Sequence, residues 1–338
     1  MKGYTLTSPF TIKEKESEDI DLSSSQSKVR LTKSLITISD VLRYTGDIDV
    51  KDVILGSAGL GIVCETGKSL FDLEKGKRTY IESFRECETC YNCKKGDFGK
   101  CSDLKIAGED FDGFLCDFIT VPPEKLFVLP ETVSDKEALF LNHISLAIAI
   151  YDKLNIKKGD YVAVIGANNF ANIFSQLLIY YQAVPIVATM DDDDCAAVKK
   201  SGVYYALDSN DNWQKEVASI TSGRMTDKVV YVADCDIPVA KAFSLASFGA
   251  SVAYTGVFNK SGNVSFTQAV KKQLDIHCIN TAVGYTTASI NLLANKAINF
   301  SNLNISECSY ADVPSVIKKL AQELEETGKI SETVVNMI

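Results

Sequence analysis

Positive charge and long uninterrupted apolar runs are both in short supply in this chain. Of its 338 residues, 35 are Lys or Arg against 44 Asp or Glu, a formal net charge of -9. An acidic surface of this kind is a poor match for phosphate backbones and anionic headgroups, which excludes nucleic acid and membranes as expected partners and leaves a small-molecule ligand. The opening stretch MKGYTLTSPFTIKEKESEDIDL soon turns polar and lacks the apolar core of a secretory signal, so a cytoplasmic location is expected. Residues 161–190, YVAVIGANNFANIFSQLLIYYQAVPIVATM, carry no charge. Asn168, Asn169, Asn172, Gln176, Gln182 and Pro185 interrupt them, and the pattern changes from strand-like to helix-like, so a buried strand–helix–strand unit is predicted instead of a membrane span.

What is present is a globular composition, 46% apolar and 23% charged, in a chain longer than the ~250–300 residues at which one core usually splits. Two domains are expected, with a boundary near residue 150. From KGDYVAVIGANN onward, short β-branched runs (161–165, 185–189, 229–233, 251–255, 278–283) alternate with helical stretches (170–182, 194–201, 238–247), the rhythm of a parallel sheet with crossover helices. Before it, Gly, Thr, Val and turn residues predict a β-rich domain. The tail DVPSVIKKLAQELEETG reads as one amphipathic helix, capped by Asp312 and stopped by Gly328, with Val313, Val316, Ile317, Leu320 and Leu324 on one face.

Four of the ten cysteines fall in CETCYNCKKGDFGKC: Cys87, Cys90, Cys93 and Cys101, at the spacing C-x2-C-x2-C-x7-C. In a reducing compartment such a cluster predicts a metal site more than disulfides, and zinc is the natural ion. A redox dithiol needs two cysteines and leaves the other two without a role. Gly96 and Gly99 let the loop return so that Cys101 closes the site. Four thiolates leave no open coordination position, so one structural ion is expected. Cys64, Cys116, Cys195, Cys235, Cys278 and Cys308 are scattered among apolar neighbours and are expected as small buried side chains.

These landmarks resemble the zinc-containing medium-chain dehydrogenases and reductases, most closely the sorbitol, threonine and alcohol dehydrogenase-like branch. The resemblance runs the length of the chain, through ITISDVLRYTG, LGSAGLGIVCETG with Gly56, Gly61 and Gly67, the cysteine lobe, DGFLCDFITVPPEKLFVLPETVS and KKGDYVAVIGANN. It implies an α/β protein: a GroES-like β-rich domain over 1–148 and 286–338, and a Rossmann domain with a doubly wound parallel sheet over 149–285. It also implies a homo-oligomer, dimer or tetramer, and an oxidoreductase using NAD(H).

Where members with a catalytic zinc carry Cys-Gly-Ser-Asp, this chain has Thr37-Ile38-Ser39-Asp40; where they carry Gly-His-Glu, it has Gly56-Ser57-Ala58; and the further glutamate of the sorbitol-like branch falls at Asn142. No thiolate, imidazole or carboxylate remains among the four, so a catalytic zinc lacks its ligand types. His143, one residue on, is expected as a packed side chain. The dinucleotide fingerprint survives as Gly166, Asn168 and Ala171, with Asn168 where the pyrophosphate meets a bare glycine, and Thr189 stands where a carboxylate binds the ribose. The following Asp191, Asp192, Asp193 and Asp194 read as a helix cap that also disfavours NADP. NAD(H) binding is therefore expected to be weak. Ala233–Asp236 offers two carboxylates at the end of a predicted strand.

Three readings remain open on sequence alone. One is a zinc-independent oxidoreductase for a small carbonyl or alcohol, with Ser39, Tyr44 and Arg43 as proton donors and anion partner. Another is a non-catalytic binding or assembly protein derived from a dehydrogenase. The last is a metal-dependent dehydrogenase with unrecognised ligands.

Overall fold

The computed structural model describes residues 2–16, 26–66, 73–208, 212–232, 237–256, 264 and 266–337. The two carboxylates of 233–236, together with Cys235 and Gly67, lie outside these. The chain divides into two compact units: Met1–Asn142 with Thr286–Ala294 and Ile305–Ile338, and His143–Tyr285 with Asn295–Asn304.

The first unit is built on a seven-stranded sheet. Its path runs Ile305–Ser309, Glu332–Asn336, Ser27–Ile36, Ala58–Glu65, Arg78–Ile81 and Leu126–Val128, with Phe118–Val121 also paired to Ser27–Ile36. All ladders are antiparallel except the one joining Ile305–Ser309 to Glu332–Asn336. Alternation puts Val29 and Leu31 into a core shared with Leu6, Ile36 and Phe114. Gly61 is required at close quarters: a Cβ there would lie 2.4 Å from Val29 and 2.5 Å from the Arg30 carbonyl. The tail forms helix Val313–Thr327, with Asp312 in the capping position and Gly328 closing it at φ 71°. Val313, Ile317 and Leu320 are buried in the same core, with Val316 and Leu324 packed beside them. The Asp312 carboxylate makes no capping bond; it accepts the Ser309 hydroxyl at 2.7 Å.

The second unit carries a six-stranded, all-parallel sheet in the order Tyr205–Leu207, Val184–Ala188, Tyr161–Ile165, Thr226–Val232, Ala246–Thr255, Asp275–Cys278. Numbered along the chain this is 3-2-1-4-5-6, the doubly wound dinucleotide-binding order. The order reverses between Tyr161–Ile165 and Thr226–Val232, and that switch point is where such sheets take ligands. Residues 161–190 form strand, helix and strand as their changing periodicity predicts, and among the described residues no helix is long and apolar enough to cross a membrane.

Some elements differ from the sequence reading. Residues 238–247 hold only the short helix Lys241–Leu245, because strand Ala246–Thr255 begins immediately after it. The last strand lies at Asp275–Cys278, before the expected 278–283. As the sheet's edge it is poorly covered, which leaves Cys278 exposed; Cys116 and Cys195 are buried, and Cys64 and Cys308 are half-buried.

Candidate functional site

The cysteine lobe positions its sulfurs through backbone geometry. Cys90 caps the one-turn helix Tyr91–Lys94. The amides of Cys90 and Cys93 donate to the sulfurs of Cys87 and Cys90 at 3.4 and 3.5 Å, and the Cys87 amide donates to Cys101 Sγ at 3.3 Å. All four sulfurs lie within 4.8 Å of one another, and Cys87 and Cys93 are 4.0 Å apart. A tetrahedral ion with Zn–S bonds of about 2.3 Å needs sulfur–sulfur edges of about 3.8 Å, so this donor set fits one ion. Amide donors from Cys93 and Ser102 lower the Cys90 thiol to about 5. Burial, then hydrogen bonding to Cys90 and Cys101, pushes Cys93 up to about 12.

A second constellation gathers in the same unit around helix Ile38–Thr45 and strand Ala58–Glu65. Thr37 caps the helix in a capping box with Asp40. Asp40 is fully buried. One of its oxygens accepts the Thr37 amide at 2.9 Å and the Thr37 hydroxyl at 3.3 Å, and the other accepts the Gly56 amide at 3.0 Å. Burial pushes its carboxyl up from the ordinary aspartate range, against the pull of Arg43 and these bonds. Gly56, at φ 97°, turns the chain so that Ser57 Oγ comes to 3.3 Å from Thr37 Oγ1. Asn142 Nδ2 donates to the Ser57 carbonyl at 3.2 Å and to Ser83 Oγ at 3.0 Å, while the Ser83 hydroxyl donates to the same carbonyl at 2.6 Å. The fully buried Tyr80 donates to Asn142 Oδ1 at 2.5 Å. Thr37, Ser57 and Asn142 are thus joined by hydroxyl, amide and carbonyl groups that satisfy one another.

Near this network, buried Glu82 accepts the Thr286 hydroxyl at 2.7 Å. Burial raises its carboxyl above the ordinary glutamate value, a shift that Thr286 and Lys125 oppose. The other sequence candidates scatter. Ser39 is half-exposed, Tyr44 is part of the core and meets the exposed Phe10 ring edge-on, and Arg43 is buried and ion-paired with Glu109.

In the second unit, Gly166 leaves strand Tyr161–Ile165 at φ 112°. Asn168 caps helix Asn169–Tyr180, its side chain accepting the Ala171 amide at 2.9 Å. One amide at this helix start, where a dinucleotide's phosphate would bind, is therefore already engaged by the chain itself. Thr189 is buried and its hydroxyl accepts the Asp191 amide at 3.3 Å. Asp191 in turn caps helix Asp192–Lys200 by accepting the Asp193 and Asp194 amides, so the acidic run does serve as a cap. The His143 ring packs 6.4 Å from that of Phe170.

Sequence reasoning missed the use of the uncharged polar residues in helix Asn169–Tyr180. Asn169 exchanges two hydrogen bonds with the backbone of Asn304, and Gln176 exchanges two with that of Asn299. Their spacing of seven residues on one helix face was the available signal.

The sequence matches the alcohol dehydrogenase GroES-like domain family over residues 23–131. It is 24% identical, over 98% of both chains, to an uncharacterized zinc-type alcohol dehydrogenase-like protein of Haemophilus influenzae. It is 26% identical to a sorbitol dehydrogenase of Halalkalibacterium halodurans, over 74% of this chain and 75% of that one. The fold matches an alcohol dehydrogenase, RspB, of E. coli CFT073 in complex with NADH, with a TM-score of 0.87 and 21% identity over 100% and 99% of the two chains.

The chain is thus similar along its length to a zinc-type alcohol dehydrogenase-like protein, and over residues 23–131 it carries the alcohol dehydrogenase GroES-like domain. Zinc is named for the Haemophilus relative and NADH for the E. coli structure. Thr37, Ser57 and Asn142 are joined in space, but their polar groups are neutral and already bonded within one network. They do not fit a zinc ion, which takes thiolate, imidazole or carboxylate. Among the described residues the four-cysteine lobe is the only group of three or more His, Cys, Asp or Glu arranged to hold a metal. For the dinucleotide the fit is partial. The switch point and the Gly166 turn are in place, while the bare glycine and the ribose carboxylate are not.

Proposed function

We propose that this chain is an oxidoreductase that works without a catalytic metal on a small carbonyl or alcohol, and that its one zinc is a structural clip in the cysteine lobe. The observation that carries the reading is the linked set Thr37, Ser57 and Asn142, in which hydrogen-bonding groups replace metal ligands while remaining together. A nicotinamide cofactor would supply or accept the hydride. Ser57, half-exposed and backed by the Thr37 hydroxyl, offers a donor to the substrate oxygen, orienting it and sharing its proton. The carbonyl of Ser57, held by Asn142 and Ser83, keeps that residue from drifting.

One observation favours a second reading, a non-catalytic binding protein: Asn168 spends its side chain on capping helix Asn169–Tyr180, and the Thr189 hydroxyl is engaged by the amide of Asp191. A reductase assay on purified protein with NADH and NADPH, with and without a mild chelator, combined with calorimetric titration of both cofactors, separates the two. Turnover that survives brief chelation supports the metal-free enzyme, and rapid, reversible loss of turnover overturns it. Absence of both turnover and cofactor binding selects the binding protein.

A further inference from the structure

Among the described residues, Arg43 is the only lysine or arginine that is buried, with 4% of its surface exposed, in a chain whose net charge is -9. Burying a cation is costly unless its donors are met, and a guanidinium presents five of them. Here a single nitrogen, Nη2, meets a single oxygen, Oε2 of Glu109. The other nitrogens make no hydrogen bond to a described residue, yet none is a fully buried unpartnered atom, so they reach solvent, and Asp40 attracts the guanidinium charge. A structural arginine–carboxylate pair usually closes as a two-pronged fork, which this one does not.

The partner is also the least committed acid in its loop. Asp110 holds the Ile106 amide and Lys51, and Asp112 holds the Ile54 amide. Glu109 has Arg43 alone, and its side chain is 43% exposed. It can therefore swing into water at little cost. The pair is anchored beside the proposed reaction site. Arg43 lies one turn after Asp40, which holds both Thr37 and Gly56, and the glycine preceding Glu109 packs against Gly56, where a Cβ on Gly108 would come within 3.0 Å of the Gly56 carbonyl.

We infer that Arg43 is an anion-recognition residue that takes the carboxylate of a small hydroxy or oxo acid, with the Glu109 carboxylate occupying that place until the substrate displaces it. The inference rests on the oxidoreductase reading for the word substrate, but the anion site is testable without turnover. A carboxylate bridging Nη1 and Nη2 would satisfy donors that Glu109 leaves open, and it would set the hydroxyl or carbonyl of the same small molecule near Ser57. A neutral polyol has no such hold.

The test pairs acids with matching neutral alcohols: gluconate against sorbitol, glycerate against glycerol, lactate against propane-1,2-diol. Binding is read by thermal shift and calorimetry on the full chain, with steady-state kinetics alongside. The wild type is expected to bind the acid of each pair. Glu109→Gln should bind the acids more tightly, since it removes the competing charge, and Arg43→Met should weaken acid binding about 10- to 100-fold while leaving the polyols unchanged. A merely structural pair gives no gain in acid binding when Glu109 is neutralised, so absence of that gain overturns the inference even where Arg43→Met fails to fold. Equal response to acids and polyols in the wild type overturns it as well. Acid binding without turnover upholds the anion site and counts against the oxidoreductase reading; turnover of polyols with no acid preference does the reverse.

Discussion

The cysteine lobe and the Thr37–Ser57–Asn142 cluster stand in the same unit, but the lobe draws its four residues from one short loop while the other cluster gathers residues that only folding unites. In the lobe the gathered atoms are four sulfurs within 4.8 Å of one another. In the other cluster they are two hydroxyls and a carboxamide, tied to Asp40, Ser83 and Tyr80. Buried polar groups must be satisfied by something, and the two clusters satisfy theirs by different means. Thiolates crowded together repel and call for a cation, whereas hydroxyls and amides donate and accept in turn and need none. The comparison teaches that side chains gathered by one fold can be met by a cation or by one another, according to their chemistry.

The largest effect expected on this contrast comes from Cys93→Ser. It removes one of four metal bonds at the most buried sulfur and should cost about 4 kcal/mol or more, read as a drop in unfolding midpoint together with loss of bound zinc. The change is expected at the lobe alone, because the Thr37 cluster draws nothing from a metal.

Next comes cofactor affinity in the other unit. Asn168→Gly with Thr189→Asp returns a bare glycine and a ribose carboxylate, and calorimetry should show NAD binding rise by about one to two orders of magnitude, the value of a charge-assisted contact. The Asn168→Gly half should cost only a few tenths of a kcal/mol, since glycine replaces an asparagine cap, whereas the carboxylate at buried Thr189 lowers stability further until a ribose meets it.

A smaller change is expected for Ser83→Ala. It deletes the bond to the Ser57 carbonyl and leaves Asn142 one acceptor short, a loss of about 1 kcal/mol in chemical denaturation. Added zinc should not restore it.

The smallest effect concerns pH. Burial raises the folded-state value of Glu82 above the ordinary 4.5, so its favourable contribution is present at lower pH and is lost as pH rises through that raised value. Glu82→Gln keeps an acceptor for the Thr286 hydroxyl but has no such loss. Its stability relative to the wild type should therefore climb as pH increases from about 4.5 toward neutrality, which melting curves across that range would record.

How far the sequence reached differs between these regions for physical reasons. The cysteine spacing was legible because neighbouring ligands in a tight turn constrain one another locally. The tail helix was legible because its apolar face repeats with the helical period and Gly328 ends it. The central strand Tyr161–Ile165 and its helix were legible because a strand covered on both faces is apolar throughout. The polar network was not. The replaced positions Thr37, Ser57 and Asn142 stood out only against a family pattern, and nothing in the sequence joined Tyr80 or Ser83 to Asn142, some sixty residues on. Asn168 carried a local signal, since asparagine is a preferred helix cap, and it was read as an obstruction when its side chain also captures the Ala171 amide. Strand Tyr205–Leu207, three residues long, is too short for periodicity to declare it. The exposure of Cys278 follows from its place on an edge strand, which only the sheet order reveals.

The most direct test of the central contrast is elemental analysis of the chain purified without chelator, performed on the wild type and on the triple variant Thr37→Cys, Ser57→His, Asn142→Glu. The account predicts one zinc per wild-type chain, bound by Cys87, Cys90, Cys93 and Cys101, and a second zinc only in the triple variant. Two zinc ions per wild-type chain would contradict it.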